Sequence, residues 1–178
     1  MTTISVKPRV IIGLGNPEPR FMRTRHNIGF QIVDALAETQ GASWKQLSNY
    51  EEAVVNMNDM RVLLIKPLTY MNKSGDVVPA LKKAGITVGE TLVLHDELEL
   101  PFGKIALKVG GSAKGHNGLK SLIQVWGADA FARLRFGIGR PDQKEQVPDY
   151  VLSSFENPTA VSPLIDESVT LIENLYKQ

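Results

Sequence analysis

Apolar positions along the chain follow two rhythms, and the switches between them mark out the elements. Val10-Ile11-Ile12 is an unbroken apolar run, as at the end of a strand buried on both faces. Gly13-Leu14-Gly15-Asn16-Pro17 stops it, because two glycines and a proline cannot extend a central ladder. Ile28, Ile32, Val33, Leu36 and Ala37 then recur at helical spacing ahead of Gly41, which predicts a helix over 28–39. Residues 51–57 and 60–66 are β-prone runs either side of Asn58-Asp59, a hairpin turn pair. A helix is expected over 74–84, ended by Gly85, and then a short buried strand, TLVLH, over 91–95. Residues 104–109 and 133–138 read as strands, with a helix from Asn117 to Trp126 between them and a closing helix over 158–176.

Helices interleaved with strands and hairpins predict an α/β fold: a three-layer sandwich whose mixed, mostly parallel sheet is covered by helices on both faces. A length of 178 residues suits one domain over 1–178, large enough to bury a substantial core. No apolar run approaches the ~20 residues of a membrane span, and the start, MTTISVKPRV, has no apolar leader. The absence of cysteine excludes disulfides, thiolate metal sites and a cysteine nucleophile together. These features point to the cytoplasm or an organelle matrix and away from a membrane.

Chemistry-bearing side chains share one position in this scheme. Asn16, Asn72 and Asp96 each follow a strand, and Asn117 opens a helix after a strand and a glycine-rich loop. Strand exits on one sheet edge lie near one another, so these groups are expected to converge with His26, which precedes the first helix. The same loop carries Arg20, Arg23 and Arg25. An imidazole can take a proton from water and return it within one cycle. Asp96 is the candidate to fix its tautomer, and asparagine amides can hold a carbonyl, a water or a developing oxyanion without adding charge. That inventory suits acyl-bond hydrolysis by activated water. There is no G-x-S-x-G elbow for a serine nucleophile.

Other chemistries fit less well. Gly13-x-Gly15 opens like a dinucleotide fingerprint, but Glu18 stands where the third glycine belongs, and Pro17 and Pro19 oppose immediate helix entry. His95, Asp96, Glu97 and Glu99 offer metal-ligand atoms, yet alternate strand residues face opposite ways and no H-x-x-x-H pairing occurs. The reading is therefore of a site without metal or cofactor.

A net charge of +1 is uninformative, but its distribution is not. Between residues 101 and 140 lie four lysines and three arginines against Asp129 alone, a balance of +6; residues 145–178 carry six acids against Lys177, a balance of −5. This asymmetry matches a basic face offered to a polyanion. Within it, the amides of Gly110 and Gly111 could form an anion nest flanked by Lys108 and Lys114, with Arg135 closing on the same phosphate. Taken alone, the loop reads rather as a flexible turn.

Six motifs in order give the chain a further likeness: Gly13-Leu14-Gly15-Asn16-Pro17, Thr24-Arg25-His26-Asn27, Lys66-Pro67 with Tyr70-Met71-Asn72, His95-Asp96-Glu97-Leu98, Gly115-His116-Asn117-Gly118-Leu119, and Arg133-Leu134-Arg135-Phe136-Gly137-Ile138-Gly139. Through about Pro141 the chain thereby resembles the bacterial-type peptidyl-tRNA hydrolases. The resemblance implies a monomeric α/β sandwich that cleaves the ester between a peptide and the 3′ ribose of its tRNA, without metal. It implies that His26 activates water and Asp96 stabilises it, and that Asn16 distinguishes blocked from free aminoacyl groups. Tyr70, Asn72 and Asn117 would hold the peptide and the terminal nucleotide end. Lys108 and Arg135 would clamp the tRNA 5′ phosphate beside Gly111, and Lys144 would add a basic contact. Two positions depart from the family: Phe21 stands where tyrosine is usual, leaving only stacking, and Lys114 replaces a glycine seen in many members. A non-catalytic RNA-binding protein of the same fold is the alternative from another class. A nucleotide-dependent enzyme is a third.

Overall fold

The computed structural model describes residues 4–177; Met1, Thr2, Thr3 and Gln178 lie outside them. Its strands are β1 (Val10–Gly13), β2 (Lys45–Gln46), β3 (Tyr50–Met57), β4 (Met60–Pro67), β5 (Thr91–Glu97), β6 (Ile105–Val109) and β7 (Ala132–Gly137). The α-helices are α1 (Ile28–Thr39), α2 (Val78–Lys83), α3 (Asn117–Trp126), α4 (Val147–Val151) and α5 (Val161–Asn174). All seven strands form one sheet in the order β2-β3-β4-β1-β5-β7-β6. β1 pairs in parallel with β4 and β5, and β5 with β7, whereas β2–β3, β3–β4 and β6–β7 are antiparallel. Five strands therefore run one way and only β3 and β6 oppose them, the mixed, mostly parallel sheet expected from the sequence.

Alternation along the strands builds two cores. Ile11, Leu64, Leu92, Leu94 and Leu134 pack with Ile32 and Leu36 of α1 and Val169 and Ile172 of α5. Val10, Ile12, Ile65 and Val93 pack on the other face with Leu81 of α2 and Leu119 and Leu122 of α3. β1 is buried along its whole length because helices cover both faces, which is why its sequence is apolar without alternation.

Four stretches differ from the sequence reading. The helix expected over 74–84 is a 3-10 run over Met71–Val77 followed by α2. Ser74 Oγ turns back onto the Met71 carbonyl (2.7 Å), and the Gly75 N–H donates to Ser121 Oγ (2.8 Å), so this turn is fastened to α3. The closing helix likewise begins as a 3-10 turn, Pro158–Ala160, before α5. β2 and α4 have no counterpart in the reading, being too short to carry a period. No helix among the described residues is long and apolar enough to cross a membrane.

The candidate site lies where the parallel strands end. β1 exits into Asn16, β4 into Tyr70-Met71-Asn72, and Asp96 sits near the end of β5. Gly29, in the first turn of α1, lets that helix approach: a Cβ there would lie 2.3 Å from the Leu94 carbonyl oxygen and 2.5 Å from the Leu14 nitrogen. This close approach sets His26, three residues before Gly29, beside the end of β5.

Candidate active site

Asp96 is the hub. Its Oδ2 lies 2.9 Å from His26 Nδ1, and its Oδ1 lies 2.8 Å from His116 Nε2. The two imidazoles therefore share one carboxylate, with ring centroids 4.9 Å apart. His116 is also the N-cap of α3: its Nδ1 accepts from the backbone N–H groups of Gly118 (3.1 Å) and Leu119 (3.3 Å). A nitrogen that accepts two N–H bonds carries no proton, so His116 is neutral and donates to Asp96 from Nε2. A neutral, fixed His116 and an ionised Asp96 in turn require the His26 proton on Nδ1, which leaves the His26 Nε2 lone pair free to act as a base.

The electrostatics agree with this assignment. Burial by itself would raise the Asp96 carboxyl, but the two histidines outweigh it and hold the group far below the usual carboxylate range. Burial would lower His26, yet the Asp96 charge and hydrogen bond prevail, so its pKa stands above the ordinary histidine value of 6.5. His95 differs. Its Nδ1–H donates to the Asp96 carbonyl (2.8 Å), and burial above all lowers it to about 4, so it stays neutral.

Asn16 is aimed by its neighbours. The Asn16 N–H donates to Asn27 Oδ1, and Asn27 Nδ2 returns the bond to the Asn16 carbonyl, both at 2.9 Å. The Met71 N–H donates to Asn16 Oδ1 (2.9 Å), which fixes the amide orientation and leaves Nδ2 to donate elsewhere. The Tyr70-Met71-Asn72 turn is thus tied to the β1 exit. It also abuts α3, because a Cβ on Gly118 would lie 2.6 Å from Met71 Sδ and 3.1 Å from His116 Cε1. Tyr70 and Asn72 are exposed on this turn, and Asn117 is exposed at the first position of α3. His26, Asp96, His116 and Asn117 line one open pocket of about 640 Å³, walled by Ala113, Lys114 and Gly115 on one side and by Val147, Pro148 and Val151 of α4 on another.

Other expected site residues lie outside that pocket. Lys108 on β6 and Arg135 on β7 share a sheet face, since Ala106 pairs with Arg135 and Lys108 with Arg133. Arg135 Nε donates to Glu97 Oε1 (2.8 Å), a bond that helps hold Glu97 below its usual range despite burial. Gly111 has φ +110° and sits against the Lys108 ammonium. The two-amide nest does not form, because the Gly110 N–H donates to the Phe131 carbonyl (3.1 Å). Phe21 is half-buried under the Arg20 guanidinium, 4.5 Å from its ring centre, and Lys144 opens an exposed turn ahead of α4.

The basic face is smaller than the composition indicates. Arg133 is buried, its guanidinium donating to the carbonyls of Gly111 and Ser112, and Arg140 pairs with Glu99. Nor do the three arginines near His26 line its pocket: Arg20 pairs with Glu18, Arg23 is exposed, and Arg25 is buried against Tyr150, 3.9 Å from its ring centre.

Two functional groups escaped the sequence reading, His116 and Asn27. The signal for each was adjacency: His116 precedes Asn117 at a helix start, and Asn27 follows His26. As metal ligands, His26, Asp96 and His116 offer atoms within 4.8 Å of one another, but an ion there would have to displace both imidazole protons that Asp96 now accepts.

Residues 10–178 match the family model described as peptidyl-tRNA hydrolase. A peptidyl-tRNA hydrolase of Syntrophotalea carbinolica is 39% identical over 175 residues, covering 96% of this chain and 91% of the relative. One from a Sulfurihydrogenibium strain is 44% identical over 148 residues, covering 83% and 78%. The crystal structure of an Arg119Gln mutant of peptidyl-tRNA hydrolase from Acinetobacter baumannii superposes with a TM-score of 0.91 at 38% identity, covering 96% of this chain and 89% of that one.

Proposed function

Because the chain belongs to the peptidyl-tRNA hydrolase family, we propose that it cleaves the ester between a peptide and the 3′ ribose of tRNA by base-activated water, with His26 as the base. The observation that carries this reading is the shared carboxylate. Asp96 is held ionised by two N–H donors, one of which, His116, cannot change its tautomer, so His26 keeps its proton on Nδ1 and its lone pair on Nε2. His26 Nε2 takes a proton as water attacks the ester carbonyl, and Asp96 stabilises the imidazolium. The developing oxyanion is met by neutral amide donors, for which Asn16 Nδ2, left free by the Met71 bond to Oδ1, is the candidate. Collapse of the tetrahedral intermediate expels the ribose 3′ oxygen, which takes the proton back from His26 and leaves free tRNA and a free peptide acid.

Around that centre, Asn16 reads the N-blocked peptide, and Tyr70, Asn72 and Asn117 hold the peptide and the terminal nucleotide end. Lys108 and Arg135 contact the 5′ phosphate, with Phe21 and Lys144 as outlying tRNA contacts. The biological role that follows is recycling of tRNA from stalled or aborted translation, performed in the cytoplasm by a monomer.

The test is release of N-acetyl-aminoacid from N-acetyl-aminoacyl-tRNA. His26→Ala is expected to abolish release while tRNA binding persists. Wild-type rates in that variant would remove His26 from the mechanism, and wild-type protein that binds tRNA without releasing the acid would favour the RNA-binding alternative.

A further inference from the structure

Charges around the reaction pocket are compensated, with one exception. Asp96 is satisfied by two imidazoles, Glu97 by Arg135 and Glu99 by Arg140. Lys114 is the one lysine or arginine among the described residues lining the pocket, and it makes no ion pair or hydrogen bond with any of them. Its backbone adds a second observation. Lys114 has φ +46°, a left-handed conformation that disfavours any residue with a side chain, in a loop where Gly110, Gly111 and Gly115 take the other positive φ values. Only Asn58 and Asp59, in the β3–β4 hairpin turn where such residues are at home, share it among the described non-glycine residues. A long cationic side chain kept in a strained conformation at the wall of a reaction site has a local cost and no structural contact to offset it.

From this we infer that Lys114 is a substrate-binding residue that contacts the phosphodiester backbone of the acceptor 3′ strand as that strand enters the pocket. The inference rests on the hydrolase reading above and deepens it. Position within the chain supports it: the loop 110–116 joins Lys108 at the end of β6 to Asn117 at the start of α3, so it links the proposed 5′-phosphate contact to the reaction pocket. An ammonium is suited to the role, since it acts as a point charge with three rotatable donors and needs no fixed planar geometry. A single-stranded terminus offers phosphates in variable orientation. The site therefore distinguishes a tRNA end from an ester of a bare nucleoside, a discrimination that neutral Asn16, Asn72 and Asn117 cannot provide through charge.

Two substrates test it: N-acetyl-aminoacyl-tRNA, and the N-acetyl-aminoacyl ester of adenosine, which has no phosphodiester. On the tRNA substrate Lys114→Gln is expected to raise KM about threefold to fivefold, the upper part of the range for a solvent-exposed ion pair, with kcat within twofold. The log–log salt dependence of KM should fall by about 0.7, as for one phosphate on a single strand. On the adenosine ester KM should stay within about twofold. Lys114→Arg should restore tRNA KM, whereas Lys114→Gly should behave as Gln does while raising Tm, because the strain is relieved. Unchanged KM and salt slope in Lys114→Gln would overturn the inference, as would an equal rise on both substrates, which would mark a structural role. Should the wild-type protein hydrolyse neither substrate, the hydrolase reading itself fails. The lysine is then judged by tRNA binding against salt, where an unchanged slope again overturns it.

Discussion

Replacing Asp96 with Asn separates orientation from mere packing more sharply than removing His26. The amide has the shape of the carboxylate but only one accepting oxygen, while the site presents two N–H donors, His26 Nδ1 at 2.9 Å and His116 Nε2 at 2.8 Å. His116 cannot change its tautomer, because its Nδ1 accepts from Gly118 and Leu119. The amide oxygen therefore goes to His116, and the NH2 faces His26. That ring must then accept at Nδ1 and carry its proton on Nε2, the nitrogen required as base. Loss of the correct tautomer in a triad of this logic costs about 10⁴ in kcat, or about 5.4 kcal/mol at 1.36 kcal/mol per tenfold. The expected outcome is thus a fall of 10³ to 10⁴ in single-turnover release of N-acetyl-aminoacid from tRNA, with tRNA affinity within about twofold. The charge that raises His26 is lost as well, so any residual activity should titrate at lower pH than in the wild type. A kcat within tenfold of wild type would refute the reasoning, because it would mean that His26 needs no carboxylate to hold its tautomer.

Further substitutions probe the rest of the account. His116→Asn retains an N-cap oxygen for α3 but falls short of Asp96, so Tm should hold within about 2 °C while kcat drops roughly tenfold; a wild-type kcat in His116→Asn, with the loss confined to His116→Ala, would reduce the role to capping. Lys108→Ala should weaken tRNA binding and lower the log–log salt slope by about 0.9, as for one lost phosphate contact, and an unchanged slope would leave that lysine facing solvent. Gly29→Ala forces a Cβ to 2.3 Å from the Leu94 carbonyl; a rigid backbone clash of this kind costs about 3 kcal/mol, so Tm should fall by roughly 9 °C for a domain of this size. A Tm within about 2 °C of wild type would mean that α1 and β5 separate easily.

The framework was legible wherever a period was long enough to read. Val10-Ile11-Ile12 announced a central strand because both of its faces are covered, and the Ile28-to-Ala37 spacing announced α1 because one face of that helix is. Asp96 and Asn117 line one pocket with His26, as expected of groups at the ends of parallel strands, which share an edge; Asn16 is tied instead to Asn27 and Met71. Long-range pairing was not legible. His116 reads locally as part of a turn, and nothing in its neighbours says that it shares Asp96 with His26 across twenty residues in one direction and seventy in the other. The same limit explains the overestimated basic face. Composition counts Arg133 as a surface charge, whereas the guanidinium is buried and hydrogen-bonded to the loop carbonyls of Gly111 and Ser112, which no charge tally contains. The 3-10 run at 71–77 was misread because Ser74 and Gly75 divert their hydrogen bonds to Met71 and Ser121, a choice made by tertiary contact.

The central claim concerns one proton, and nitrogen-resolved NMR of the histidine rings observes it directly across a pH titration. The account predicts that the His26 signals show the Nδ1-protonated tautomer at neutral pH and titrate above 6.5, with the acid limb of kcat/KM following the same midpoint, since the base works only when Nε2 is unprotonated. A His26 ring protonated mainly on Nε2 at neutral pH, or one titrating well below 6.5, would contradict it.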